Sequence, residues 1–568
     1  MRGYDAVAEE FGRHNVECAF VLMGEDIAEL LIAMDSRGIQ CYGARHENQA
    51  VAMADSYARS TGKLGVAVLT GGPGFTNAMT AIMTASRARS TVLVVVGAGQ
   101  TAEDDPHRTD LRDRKYFPHV PVCEAAGIAV VKPASSSTVV TDARTAILAT
   151  AAGRTTVLNL AVDVLDGDAE EPSALPTAFR APALAPDPDA IVALADFLEE
   201  TWAVSRPVIL AGYGALASGA DAALRRLGTL TGSLLSTTLR AAGFFDDDPH
   251  NIGICGTYAT PVAAELIASA DCVLVFGATL NRYTTYGGTM FPNARVVQVD
   301  DDQGAFGRFV PIEEGLAIHA DVTLAVEALV AELERRGHKA GGYRSRSVPL
   351  AVADFDRNAG VRDQSLPDKI DPRTLMIELD RMLPANRMLA LDNGHNFTFA
   401  IEHIRVRGPR NIVQLNDAGS IGLGIGTGIG AAVGRPGTFV VVPVGDAGFL
   451  MALGDLETAV RYKLPMVVVI SNDEALGLEL HFLNLIGMPA KLAEFPTPSF
   501  AAIASAIGAE AFTVRSAADL GAVEERLRQP LSGPLVLDCR INGAIRAEWL
   551  EFAMGRYALA SPRRSAST

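Results

Sequence analysis

Short apolar runs alternate with longer amphipathic stretches along almost the whole chain. In the first third, Ala19–Leu22, Gly65–Leu69, Thr91–Val96 and Thr155–Leu160 read as buried strands. Between them, stretches such as Tyr4–Phe11 and Ile27–Met34 carry apolar positions at helical spacing. Alternation of this kind predicts an α/β domain with a mainly parallel sheet over residues 1–170. Glu171–Pro188 is Pro-rich and reads as a linker. A second α/β domain is expected over about 190–340, with strands at Arg206–Gly212, Cys272–Phe276 and Arg295–Val299. The polar segment Gly337–Arg346 and the turn-rich 357–372 separate a third, about 360–545. Its strands are Met388–Leu391, Thr438–Val444 and Met466–Ser471. A tail, 546–568, begins with a short helical pattern over Arg546–Met554 and is expected to end disordered. The expectation is three doubly wound α/β domains with mainly parallel sheets.

Composition narrows the class. With 49% hydrophobic residues in 568, large cores are affordable, and the length fits three or four domains. A net charge of −17 argues against nucleic-acid or anionic-membrane partners. The six cysteines are scattered, with no CxxC or Cys/His cluster, and read as thiols in a reducing cytosol. The N-terminus carries no apolar signal core, and the apolar stretch 419–434 is glycine-rich and too short to span a bilayer. A cytoplasmic protein is expected.

The candidate chemistry concentrates where two strands of the third domain end. The Thr438–Val444 run stops at Gly445-Asp446-Ala447-Gly448. A helix follows, with Leu450, Leu453, Leu456 and Val460 on its apolar face and Asp455, Glu457 and Arg461 elsewhere. The Met466–Ser471 run then stops at Asn472-Asp473-Glu474. Open α/β sheets bind ligands at the carboxyl ends of their strands. Two hard carboxylate ligands beside free backbone N–H groups suit Mg²⁺ holding a diphosphate. In the first domain, Glu47 follows a short strand at 40–43 and opens an Ala-rich helix whose face Ala50, Met53, Ala54 and Tyr57 reads as buried.

These residues carry a resemblance. Gly-Asp-x-Gly, a crossover helix, then Asn472 and Asp473, 26 and 27 residues after Asp446, resemble the thiamin-diphosphate signature. The family pattern is GDG and NN, so Ala447 and Asp473 are two departures. The strand–Glu47–helix segment and Gly-Gly-Pro-Gly-Phe-Thr-Asn at 71–77 resemble the pyrimidine-binding domain of acetolactate-synthase-like enzymes. Together they identify the chain as a member of the acetolactate synthase, pyruvate decarboxylase and benzaldehyde lyase superfamily. The resemblance implies that Glu47 protonates the cofactor's aminopyrimidine ring, with Pro73 and Asn77 beside it. It implies Asp446, Asp473 and Ala475 as Mg²⁺ ligands, and Gly445, Ala447, Gly448 and Leu476 around the diphosphate. Asp392-Asn393-Gly394-His395-Asn396 match the first diphosphate loop, with Gly394, His395 and Asn396 as its cofactor contacts. The Gly419 carbonyl would hold the pyrimidine amino group, and Ile421 would wedge between the two rings. In the central domain some relatives carry FAD; FAD is not expected here. The family assembles its site from the first domain of one chain and the third of another, implying a homodimer or homotetramer.

The resemblance is looser where substrates bind. Gly24-Glu25 lie in the loop that carries a catalytic acid in pyruvate decarboxylases. Leu478 aligns with an aliphatic residue above the thiazolium ring, and Glu479 with a second catalytic glutamate. The loop Asp110–His119 lacks both the paired histidines of the decarboxylases and the Phe-Gln motif of acetolactate synthases. The implied activity is carbon–carbon cleavage or carboligation on a 2-oxo acid or acyloin. Simple decarboxylation is one alternative, and a non-catalytic cofactor-binding subunit, suggested by Ala447 and Asp473, is another.

Overall fold

The computed structural model describes residues 1–101, 115–170, 183–201, 206–338 and 342–550. Most of the expected linker, the loop residues Asp110–Arg114 and the tail beyond 550 lie outside the described residues. Each apolar run forms a strand within a residue or two of its expected place. The first sheet contains β1 (Cys18–Leu22), β2 (Gln40–Gly43), β3 (Gly65–Leu69), β4 (Val92–Ala98), β5 (Ala129–Val131) and β6 (Thr156–Ala161), in the order β2-β1-β3-β4-β6-β5. The second contains β7 (Pro207–Ala211), β8 (Leu234–Thr237), β9 (Asn251–Ile254), β10 (Cys272–Phe276), β11 (Arg295–Asp300) and β12 (Ala317–His319), in the order β12-β11-β10-β7-β8-β9. The third contains β13 (Arg387–Leu391), β14 (Ile412–Gln414), β15 (Phe439–Gly445), β16 (Met466–Asn472), β17 (Glu510–Val514) and β18 (Pro534–Arg540), in the order β14-β13-β15-β16-β18-β17.

Counted within their own sheets, the first and third sheets share one order, 2-1-3-4-6-5. The second has the doubly wound order 3-2-1-4-5-6 read from its other edge. Neighbouring strands pair in parallel throughout the first two sheets, and from β13 through β15, β16 and β18 to β17 in the third. The first and third sheets lie in one compact unit; the second forms another, which also takes in Ile401–Ile412.

Two helices join the first and third sheets into one core. The Glu47–Thr61 helix is buried along most of its length, including the expected Ala50, Met53, Ala54 and Tyr57. Against it lies the Gly424–Gly434 helix. Gly426, Gly430 and Gly434 recur every four residues, on one face of this helix. A Cβ on Gly430 would run into the Met53 carbonyl, and one on Gly426 would stand 2.6 Å from Gln49 Oε1 and 2.9 Å from Ala52 Cβ. This glycine face is therefore a close-packing surface for the neighbouring helix.

One expected face is corrected. In the Asp446–Arg461 helix the fully packed positions are Phe449, Ala452, Leu456 and Ala459. Leu450 is exposed, Leu453 and Val460 pack only in part, and Asp455 is buried. The stripe turns because Asp455 finds polar partners inside: it accepts the Arg45 N–H at 2.8 Å and the Thr458 hydroxyl at 3.2 Å.

Candidate active site

β15 and β16 are parallel neighbours, so Asp446 and Asp473 leave the same sheet edge side by side. Asp446 is the first residue of its helix and accepts the N–H groups of Ala447 at 2.7 Å and Glu474 at 2.8 Å. Burial, with the Asp473 charge second, pushes its carboxyl up to about 7 despite those donors. Two carboxylates facing each other in a dry place are a site that a divalent cation would relieve. Among the described residues no three His, Cys, Asp or Glu side chains converge on a metal. A cation there would complete its shell with carbonyl, water or phosphate oxygens, as Mg²⁺ does.

Asn472 and Asp473 have separated roles. The Asn472 amide, fully buried, donates to Asp538 at 2.9 Å and accepts from Thr497 at 3.1 Å. Asp473 instead faces His395, 3.8 Å from its Nε2. His395 is buried, and neither of its ring nitrogens has a hydrogen-bond partner. Unpartnered buried ring nitrogens of this kind, one of which must carry an N–H, mark a place for a polar ligand such as a phosphate oxygen. The chain is pared back around them: a Cβ on Gly477 would stand 2.5 Å from His395 Nε2 and 2.6 Å from Asp473 Oδ2. Asn396 lies between the two loops, its amide nitrogen 2.8 Å from a would-be Cβ on Gly445 and its oxygen 2.9 Å from one on Gly394, whose φ is +116°. Ala475 is buried and bridges Glu494, and the Leu476 N–H donates to the Ala493 carbonyl at 2.7 Å. These features fit a diphosphate with its cation.

The Ala447 departure costs the backbone nothing, because that residue is helical. Gly448 is the glycine the packing requires, since a Cβ there would collide with Asp392 Oδ2. Asp392, not among the contacts expected from sequence, accepts the N–H groups of Gly422 at 2.9 Å and Leu423 at 3.2 Å. Burial raises its carboxyl to about 6. It thereby fixes the turn that holds Gly419, at φ +79°, and Ile421. The sequence places Asp392 at the head of the first diphosphate loop but gives no sign of this anchoring role.

Glu47 opens its helix almost buried and accepts from Asn77 Nδ2 at 3.0 Å. Asn77 lies on the Pro73–Arg87 helix, which Pro73 begins. Two further residues shape this wall without having been expected. Asp26 accepts from the Thr70 hydroxyl at 2.6 Å and the Gly71 N–H at 2.7 Å, and His119 Nε2 accepts the Gly72 N–H at 3.1 Å. Of the substrate-side residues, Gly24 packs against Thr70, and Glu25 is exposed and paired with Lys115. Leu478 and Glu479 lie in the first turn of the Gly477–Leu485 helix, Leu478 half-buried and Glu479 exposed. The buried side chain there is His481, whose ring centre lies 5.0 Å from that of His395 and whose Nε2 has no partner.

Comparison with known proteins gives the class. Residues 1–119 match the thiamine pyrophosphate enzyme N-terminal TPP binding domain, 194–329 its central domain and 392–539 its C-terminal TPP binding domain. The chain belongs to the thiamine pyrophosphate enzymes, as a thiamin-diphosphate-dependent carboligase or decarboxylase. It is 30% identical to the acetolactate synthase large subunit of Parasynechococcus marenigrum, over 84% of this chain and 77% of that protein. It is 26% identical to a probable acetolactate synthase large subunit of Methanocaldococcus jannaschii, over 96% and 92%. It is 28% identical to a probable 2-ketoarginine decarboxylase of Pseudomonas aeruginosa, over 92% and 90%. No helix among the described residues is long and apolar enough to cross a membrane.

Proposed function

We propose that the chain is a Mg²⁺-dependent carboligase of the acetolactate synthase kind, cleaving the bond beside the carbonyl of a 2-oxo acid and passing the fragment to an acceptor. The observation that carries this is the pairing of a buried Glu47 with the Asp446–Asp473–His395 seat on one chain. When bound, thiamin diphosphate supplies the electron sink for carbon–carbon cleavage. Asp446, Asp473 and the Ala475 carbonyl would hold the cation. His395, Asn396 and the backbone around Gly394, Gly445, Ala447, Gly448 and Leu476 would hold the diphosphate. Glu47 would share a proton with the pyrimidine ring, and Asn77 orients its carboxyl by donating to Oε2. Gly419 and Ile421 would fix the ring's other edge and the cofactor's bend.

A non-catalytic subunit would not need Glu47, so that reading is set aside. Decarboxylation alone remains the second reading, favoured by the decarboxylase relative and by two exposed acids, Glu25 and Glu479. The three domains, assembly into a homodimer or homotetramer, and a cytoplasmic location belong to the same proposal, the last supported by six free thiols. FAD is not part of it. The test is a screen of 2-oxo acids with the purified protein, thiamin diphosphate and Mg²⁺, following CO₂ and, with a second oxo acid or aldehyde present, the ligated product. Product formation supports the carboligase. CO₂ without any ligated product supports the decarboxylase, and neither contradicts both.

A further inference from the structure

The wall that carries Glu47 also carries a cation that the cofactor seat does not use. Lys115 Nζ donates to Glu25 Oε2 at 2.8 Å and to Thr70 Oγ1 at 2.8 Å. Its main chain passes close to the same turn: a Cβ on Gly72, at φ +56°, would stand 2.5 Å from the Lys115 carbonyl oxygen. Four residues on, His119 accepts the Gly72 N–H. Lys115–His119 thus lies along the turn that opens the Pro73 helix, bonded to it through the Lys115 ammonium and the His119 ring. Thr70, which accepts from this cation, lies near Glu47. One point, the place of a Cβ on Gly74, lies 2.7 Å from Thr70 Cγ2 and 3.4 Å from Glu47 Oε1.

An ion pair with side chains 24% and 43% exposed adds little to stability. By the same reasoning it is cheap to open. Exchanging Glu25 for another carboxylate leaves the ammonium paired. Lysine, a compact charge on a flexible stem, suits such an exchange better than a bidentate arginine.

We propose that Lys115 is a specificity-determining residue: its ammonium exchanges Glu25 for a substrate carboxylate that survives the reaction. This rests on the 2-oxo acid reading above. A cation held on the carboxylate that departs as CO₂ would stabilise the reactant more than the transition state and slow its loss. The carboxylate recognised is therefore a retained one, either that of an acceptor 2-oxo acid or a second acid group on the donor.

Calorimetric titration of the cofactor-loaded protein with lactate, lactamide and 2-hydroxyglutarate tests this without turnover. In the native protein at least one carboxylate advantage, lactate over lactamide or 2-hydroxyglutarate over lactate, should be about tenfold. Lys115→Met should erase that advantage, Lys115→Arg should keep most of it, and Glu25→Gln, which removes the competitor, should enlarge it. Loss of the lactate advantage identifies the acceptor acid; loss of the 2-hydroxyglutarate advantage identifies a second acid on the donor. Equal binding of all three ligands to the native protein overturns the proposal. So does an advantage that Lys115→Met leaves intact. A Lys115-dependent advantage in a protein that releases no CO₂ from any 2-oxo acid would reject the reaction and keep the recognition residue. The converse rejects Lys115 alone.

Discussion

The side chain of Gln49 is bonded at both ends to the turn and helix that follow Ile421: its amide donates to the Gly422 carbonyl at 2.6 Å, and its oxygen accepts the Gly426 N–H at 2.9 Å. Gln49 lies two residues from Glu47, so one helix carries the proposed proton group and pins the proposed ring wedge. Gln49→Ala strands two buried backbone groups, at about 1–3 kcal/mol each. The expected result in urea unfolding is a loss of about 3 kcal/mol, with weaker cofactor binding in the folded protein. Loss of stability with unchanged cofactor affinity would show that the pin does not reach the wedge.

The glycine pattern of the Asp446 loop separates two substitutions. Ala447→Gly restores the family pattern at a helical position and should leave cofactor affinity within about twofold, at a stability cost of under about 1 kcal/mol. Gly448→Ala drives a methyl into Asp392, which anchors Gly422, and should cost several-fold or more in cofactor affinity. Fluorescence titration of thiamin diphosphate into the two variants reads the contrast; equal affinities would contradict it.

Most of this frame was legible in the chain because parallel strands buried on both faces are written as continuous apolar runs. β3, β10 and β16 appear in the sequence almost residue for residue. Asp446 and Glu47 were legible because each stands where a strand or a short connection meets a helix. What stayed hidden depends on tertiary partners. Asp455 looks like a surface acid until Arg45, 410 residues earlier in the chain, supplies the N–H that lets it be buried. His119 and His481 carry no motif, Asp392 stands in a motif that does not show its partners, and only packing shows what each one touches.

Asp473 and Asn472 make opposite demands on a titration. Asp473→Asn removes one of two facing carboxylates, so thiamin diphosphate should bind more tightly at low Mg²⁺, with the gap closing as Mg²⁺ saturates. Asn472→Ala breaks the bonds to Asp538 and Thr497 and should cost about 2 kcal/mol of stability, with no dependence on Mg²⁺. A Mg²⁺-dependent defect in Asn472→Ala together with an inert Asp473→Asn would transfer the ligand role to Asn472.

The pH dependence of stability should carry a signature of His119. Burial lowers its imidazole from the ordinary 6.5 to about 4. As pH falls below 6.5 the unfolded chain takes up this proton before the folded one does. The stability from this group is therefore complete above 6.5 and is lost on the way down to about 4. The full loss is about 3 kcal/mol. His119→Gln has nothing to titrate, so its urea midpoint should fall less between pH 7 and pH 4.5 than that of the native protein. Parallel falls would contradict a buried neutral imidazole.

The most direct measurement is hydrogen–deuterium exchange at the thiazolium carbon of bound thiamin diphosphate, compared between the native protein and Glu47→Gln. Glutamine preserves the shape and a hydrogen bond to Asn77 but holds no proton to share, so the fold and cofactor affinity should persist. Exchange should slow by about a hundredfold or more, the usual worth of a positioned acid–base group. Native-like exchange in a Glu47→Gln protein that binds the cofactor normally would contradict the role given to Glu47 and the active site built around it.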